Sequence, residues 1–177
     1  NGNILRWYGA NQDITGRKLA EEAVRKAQEQ YSLAVEGSND GLWDWNIETN
    51  EVYFSPRWKA MVGYEEYELM NGFADFEALL HPEDHDRVLG VVNDYLTGKL
   101  DDYNVEFRFH HKNGSYRWIL ARGKAMRKPD GAPYRMAGSH SDITERKKAE
   151  ELIAKRAEQL AALTRVMEVA NTSQDRL

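Results

Sequence analysis

The chain has 177 residues, a formal charge of −5 and no cysteine, which excludes disulfides, thiolate nucleophiles and sulfur-ligated zinc or iron–sulfur clusters. Its basic residues are interleaved with acids, against the pattern of a nucleic-acid face, and no apolar run approaches the roughly 20 residues that cross a bilayer. A soluble, cytoplasmic chain without membrane or nucleic-acid contact is therefore expected, cut from a longer protein that could be anchored elsewhere.

The first residues pass from a strand into a helix. Ala20, Val24, Ala27, Tyr31 and Ala34 step by four and three, a narrow apolar stripe among charged residues. From Asp40 the texture changes to short alternating segments. Trp43, Trp45 and Ile47 share one face of a strand, Glu48-Thr49-Asn50 turns the chain, and Val52-Tyr53-Phe54 returns it. Ser55-Pro56 starts a short helix that buries Trp58, Met61 and Val62 before Gly63 ends it. Phe73 to Leu80 predicts a second short helix. A longer third begins at His81-Pro82-Glu83-Asp84, where two acids sit near the positive end of the helix dipole, and ends at Gly98.

Three strands follow, over Tyr103 to His110, Tyr116 to Arg127 and Tyr134 to Ser141. In the first, Val105, Phe107 and Phe109 form the oily face; in the second, Tyr116, Trp118 and Leu120 are expected to do so. The order predicts an α+β fold, a five-stranded antiparallel sheet with helices on one face, flanked by N- and C-terminal linker helices. In the last helix Ile153, Leu160 and Met167 lie seven apart, with Leu163 and Ala170 offset by three, the spacing of a two-stranded coiled coil. The alternative is a helix packed on its own domain.

An internal repeat sets the boundaries. Gly2, Arg6, Gly9, Asp13-Ile14-Thr15, Arg17-Lys18 and Ala20-Glu21-Glu22 recur in order and spacing as Gly131, Arg135, Gly138, Asp142-Ile143-Thr144, Arg146-Lys147 and Ala149-Glu150-Glu151. One structural ending is used twice, with a complete unit between. The expected organisation is the tail of a preceding unit over 1–15, a linker helix over 16–38, the domain over 39–142 and a C-terminal signalling helix over 143–177.

The middle of the chain resembles the PAS family, in the subgroup with a PAC-type ending. The resemblance rests on Asp40-Gly41-Leu42-Trp43-Asp44-Trp45, Tyr53-Phe54-Ser55-Pro56, Met61-Val62-Gly63-Tyr64, His81-Pro82-Glu83-Asp84, Glu106-Phe107-Arg108, Asn113-Gly114-Ser115-Tyr116-Arg117-Trp118, Asp130-Gly131 and Asp142-Ile143-Thr144-Glu145-Arg146-Lys147. It covers about residues 32 to 148. It implies a sensory module with a small internal cavity, working beside other PAS and output domains of one chain. Members commonly sit in histidine kinases, diguanylate cyclases and phosphodiesterases. No catalytic signature of those enzymes, nor any triad, carboxylate pair or phosphate loop, stands in this chain, so the chain itself is not expected to be an enzyme.

Strand parity offers Trp45, Trp58, Phe107, Phe109, Trp118 and Leu120 as cavity residues; the competing reading makes them plain core. The resemblance makes Asp142, Ile143 and Thr144 the relay from sheet to helix, with Arg122 as the basic partner of Asp142. Ile153, Leu160, Leu163 and Met167 are the candidate homodimer seam. No metal site is expected, because His81 and His85 straddle a helix start and His110 and His111 point to opposite strand faces. Haem is not expected either, since the family's axial histidine has no counterpart on the long helix. A cysteinyl–flavin adduct is excluded, whereas noncovalent flavin or another small molecule in an occupied cavity is the alternative to a ligand-free transmission module.

Overall fold

The computed structural model describes residues 15–174, with the side chains of residues 16–35 and 37–165. Of the proposed tail of a preceding unit, over 1–15, residues 1–14 lie outside the described residues. The chain divides into two units, the boundary in sequence falling after Asn39.

The first unit holds helix α1 (Thr15–Ser38). Its apolar side chains Leu19, Val24, Tyr31 and Leu33 are all exposed. The i, i+4 pairs Arg17–Glu21 and Arg25–Glu29 decorate the helix, and such exposed pairs add only a few tenths of a kcal/mol each.

The second unit contains β1 (Gly41–Asn46), β2 (Val52–Phe54), α2 (Pro56–Met61), α3 (Phe73–Leu79), α4 (Pro82–Leu96), β3 (Tyr103–His110), β4 (Tyr116–Arg127), β5 (Pro133–Asp142) and α5 (Thr144–Gln174). The strands form one antiparallel sheet in the order β2-β1-β5-β4-β3. The sheet places β5, the last strand, at its centre, so the strand that leads into α5 is hydrogen-bonded on both edges.

Local chemistry starts each helix. Ser55 caps α2, its hydroxyl accepting from the backbone N–H of Trp58 at 3.2 Å and of Leu42 at 2.9 Å, which ties the helix to β1. Asp75 accepts from the N–H of Gly72 at 2.9 Å at the head of α3. His81 caps α4 through Nδ1, and Pro82 occupies the first turn. Lys59, buried on α2, gives its ammonium to the Glu66 carbonyl at 2.6 Å and pins the connection that follows.

Asp84 fastens α4 to β3. Its buried carboxylate accepts from the Arg108 backbone N–H and Nε, both at 2.9 Å, and from Arg87 at 3.1 Å. Burial alone would raise its pKa, but the hydrogen bonds from Arg108 and Arg87 outweigh that and hold it at about 2. Depression below the unfolded value of about 3.9 means the contribution is present above that pH and is lost as pH falls toward 2. Asp84→Asn is therefore expected to cost about 2 kcal/mol at pH 7. Urea unfolding at pH 7 and pH 3 checks this, because the difference between wild type and variant should shrink at the lower pH.

The row Phe54–Trp43–Gly138–Gly123–Tyr103 runs across all five strands. A Cβ on Gly123 or Gly138 would lie 2.7 or 2.6 Å from the Trp43 ring. The two glycines thus form a trough in which the indole lies flat across β5 and β4, with Tyr103 edge-on to it at 6.1 Å.

The same register corrects the face assigned to β4. Phe107 stands opposite Ile119, and Val105 opposite Ala121, so Ile119 and Ala121 are the core residues, both fully buried. Trp118 and Leu120 stand opposite Arg108 and Glu106, on the other face of the sheet. The inner positions of β4 shrink from Ile119 to Ala121 to Gly123, where the Trp43 ring lies over the strand. The Trp118 ring is instead covered by cations, with Arg108 at 5.5 Å and Lys147 at 5.1 Å from its centroid.

Candidate functional site: an aromatic cavity and the sheet–helix joint

A cavity of about 30 Å³ lies between the inner face of the sheet and the helices, lined by Trp43, Trp45, Val52, Phe54, Phe73, Phe76, Val92, Tyr103, Met136 and His140. Of the residues that parity offered for it, Trp45 lines it. Trp58, Phe107 and Phe109 are buried beside it as core packing, while Trp118 and Leu120 face away from it. The lining residues that sequence reasoning missed come from β1, β2, α3, α4, β3 and β5. A two-residue strand period cannot show which helix residues reach the sheet.

His140 is the principal omission. It sits on β5 between Gly41 and Ala121, 2% exposed, with Trp43, Trp58, Phe76, Phe107 and Phe109 all within 6.1 Å of its ring. Burial pushes its pKa down to about 3, so the ring is neutral at pH 7. The Trp58 Nε1–H donates to its Nδ1 at 2.7 Å. Indole nitrogen is a donor only, so Nδ1 is the bare nitrogen and Nε2 carries the proton. The signal in sequence was position: a histidine at an inward site of the final strand, in phase with Met136 and Gly138.

Trp45 satisfies its indole N–H on the Asn50 side chain at 3.2 Å. Trp43 does not: its Nε1 is buried without a partner among the described residues. No charged residue lines the cavity. The three-ring flavin does not fit this space as it stands, since about 30 Å³ has room for roughly two water molecules whereas pockets for drug-sized ligands run from roughly 300 Å³. A larger, open depression of about 360 Å³ near Gly98 carries Arg127, but that guanidinium is committed to the carbonyls of Tyr95, Leu96 and Gly131.

The second feature is the joint from β5 to α5. Asp142 accepts from the N–H of Thr144 at 2.9 Å, a local cap at the helix start. Thr144 turns its hydroxyl to the sheet and accepts from the N–H of Trp118 at 3.0 Å, while the N–H of Ile143 donates to the Trp118 carbonyl at 2.8 Å. Glu106 on β3 grips the first helical turn through Arg146 at 2.6 Å and Lys147 at 2.5 Å. Hydrogen bonds from Lys147 and Arg146 hold the Glu106 carboxyl below its usual range.

Arg122 is not the partner of Asp142. It stands opposite Ser139, three positions along the ladder, and the basic group near Asp142 is Arg117, with Nη1 to Oδ2 at 3.9 Å. The antiparallel register sets this, because β4 runs away from the joint after Ile119. Arg117 was adjacent in the same motif, but only the pairing of Ile119 with Asp142 picks it out.

From Lys148 to Arg165 every described side chain is exposed, including Leu152, Ile153, Leu160 and Leu163. Met167, the fourth seam candidate, has its side chain outside the described residues. Among the described residues no three His, Asp or Glu side chains are grouped to hold a metal ion. His81 is a cap, and His85 is engaged by Glu77 at 3.0 Å and Asp86 at 2.8 Å. No described helix is long and apolar enough to cross a membrane.

The five-stranded antiparallel sheet, the helices on its inner face and the small cavity between them define a sensor-type fold, and the PAS fold family matches residues 51–140. The chain belongs to that family, whose fold is that of a sensor domain rather than a catalytic one. A solved domain of a sensory box histidine kinase/response regulator from Burkholderia thailandensis E264 is 39% identical, with a TM-score of 0.67 over 75% of this chain and 98% of that one. The N-terminal domain of a diguanylate cyclase with PAS/PAC sensor from Marinobacter aquaeolei shares the fold at 24% identity and a TM-score of 0.55, over 61% of this chain and 98% of that one. A blue-light-activated histidine kinase of Brucella anthropi is 26% identical over 161 residues, 85% of this chain and 32% of that protein. The chain spans less than a third of the length of the curated relatives it matches.

Proposed function

We propose that the chain is a sensory and signal-transmission module of a multidomain protein, which relays ligand or conformational signals along α5 to an output domain and pairs with a second copy through its flanking helices. The carrying observation is the contrast within α5. Its first turn is bound to β3 and β4 by Glu106, Trp118 and Thr144, whereas everything described from Lys148 onward is exposed, with Leu and Ile on its surface. Such a helix gains little stability from propensity alone and needs an apolar partner. A heptad seam at Ile153 and Leu160 supplies one, and any shift of β5 is carried directly into the helix start. Kinase and diguanylate cyclase relatives support an output domain of one of those classes, and the 39–142 and 143–177 boundaries follow from the same reading.

Analytical ultracentrifugation tests the pairing. The chain is expected to sediment as a dimer and Leu160→Lys as a folded monomer; a monomeric wild type would overturn the seam. Relay is tested in the intact parent protein, where Asp142→Ala and Glu106→Gln are each expected to uncouple output at least about tenfold while changing domain stability by only about 1 kcal/mol. Output that still follows the stimulus in both variants would remove the joint from the mechanism.

A further inference from the structure

The cavity wall holds one buried hydrogen-bond donor with no acceptor, Trp43 Nε1, beside a second ring that can donate. Trp43 is 8% exposed, its Nε1–H has no partner among the described residues, and its ring is held in place by the glycine trough of β4 and β5. His140 is 2% exposed, and its one hydrogen bond among the described residues engages Nδ1, which leaves Nε2–H as a donor. The two rings are 5.7 Å apart on the same wall. The rest of the lining is aromatic or aliphatic, apart from the Tyr103 hydroxyl, whose ionisation burial strongly opposes. An unpaired buried N–H costs about 1–3 kcal/mol, and the one on Trp43, with the donor ring of His140 beside it, marks a place where an acceptor belongs.

We infer that the cavity takes a small neutral molecule with a hydrogen-bond acceptor, its carbonyl-type oxygen received by the indole N–H of Trp43 and the imidazole N–H of His140 and its body held by the aromatic walls. A carboxylate or phosphate is disfavoured, since no cation lines the space and a buried unpaired anion is expensive. A purely apolar molecule leaves the Trp43 donor unmet. The volume of about 30 Å³ sets a further condition: anything larger than a few atoms enters by displacing a wall. Phe73 is the wall that can move. It is only partly buried, stacks on Trp45 at 4.6 Å and stands in the first turn of the seven-residue helix α3. This ligand class rests on the reading of the chain as a sensory module, and it concerns the input of that module rather than its relay.

The test uses three probes of one size on the whole chain: acetophenone, ethylbenzene and benzoate, titrated against the indole N–H resonances in a proton–nitrogen spectrum. Acetophenone is expected to bind about tenfold more tightly than ethylbenzene, with benzoate weaker still, and to move the Trp43 indole resonance most among the five tryptophans. Trp43→Phe assigns that resonance and should abolish the preference for the ketone. If that variant does not fold, through-bond assignment of the wild-type spectrum supplies the Trp43 resonance and the ranking of the three probes decides the matter. Equal binding of ethylbenzene, binding of benzoate, an unmoved Trp43 resonance or no binding of any probe would overturn the inference. Sedimentation of the same samples separates this from the relay, because a dimer that binds no probe rejects the ligand class and leaves the seam standing.

Discussion

Lowering the pH from 7 to 5 is expected to cost the domain about 2 kcal/mol of stability through His140 alone. The native ring holds its pKa at about 3 because it is packed among Trp43, Trp58, Phe76, Phe107 and Phe109, and it has no acid beside it. The unfolded ring titrates near 6.5. Below that value the unfolded chain binds a proton that the native state excludes. Stability therefore falls as the pH falls, by up to about 1.4 kcal/mol per pH unit until about pH 3. His85 pulls the other way, since its hydrogen bonds to Asp86 and Glu77 raise its pKa, but it is exposed and screened. Urea unfolding at pH 7, 6 and 5 measures the slope. His140→Asn keeps an acceptor for the Trp58 N–H and removes the titration, so its curve should be nearly flat over that range whatever its absolute stability. A wild-type slope no steeper than the variant's would mean that His140 is not enclosed as described.

Replacing Gly138 with alanine is expected to abolish stable folding, a loss above about 4 kcal/mol. The added Cβ would stand 2.0 Å from the Arg122 carbonyl oxygen, 2.6 Å from the Trp43 ring and 2.7 Å from the Gly123 Cα. Two of these neighbours are backbone of the adjacent strand and cannot rotate away. Relief requires β4 to part from β5 at the centre of the sheet and Trp43 to leave its trough, so the cavity would go with it. The contrasting substitution is Gly90→Ala on α4, where a Cβ meets nothing within 4 Å. There alanine should stabilise the helix by up to about 1 kcal/mol. Thermal unfolding of the two variants side by side checks both signs, and a Gly138→Ala protein that melts with the wild type would show that the indole does not lie across these strands.

The amino-acid sequence by itself determined the order of elements and the fold class. Alternation in β1 and β3, the Ser55-Pro56 and His81-Pro82 helix starts and the glycine turns are local signals, and local backbone chemistry is enough to produce them. The Asp142-Ile143-Thr144 ending marked the strand-to-helix passage from β5 to α5 for the same reason. Tertiary structure alone decided which residues form the site. For β4, period-two reading could tell two faces apart but not which one is inward: Tyr116, Trp118 and Leu120 look like the oily face, yet the flat inner face of Ile119, Ala121 and Gly123 is what the incoming rings require. The partner of Asp142 was likewise undecided until register placed Ile119 across from it and brought Arg117 near. The cavity joins β1, β2, α3, α4, β3 and β5, stretches far apart in the chain. The state of His140 depends on burial and on the donor-only indole of Trp58, 82 positions away along the chain. Propensity and pattern act over a few residues, whereas a desolvated imidazole and an unpaired indole N–H come into being only when the sheet and its helices close around them.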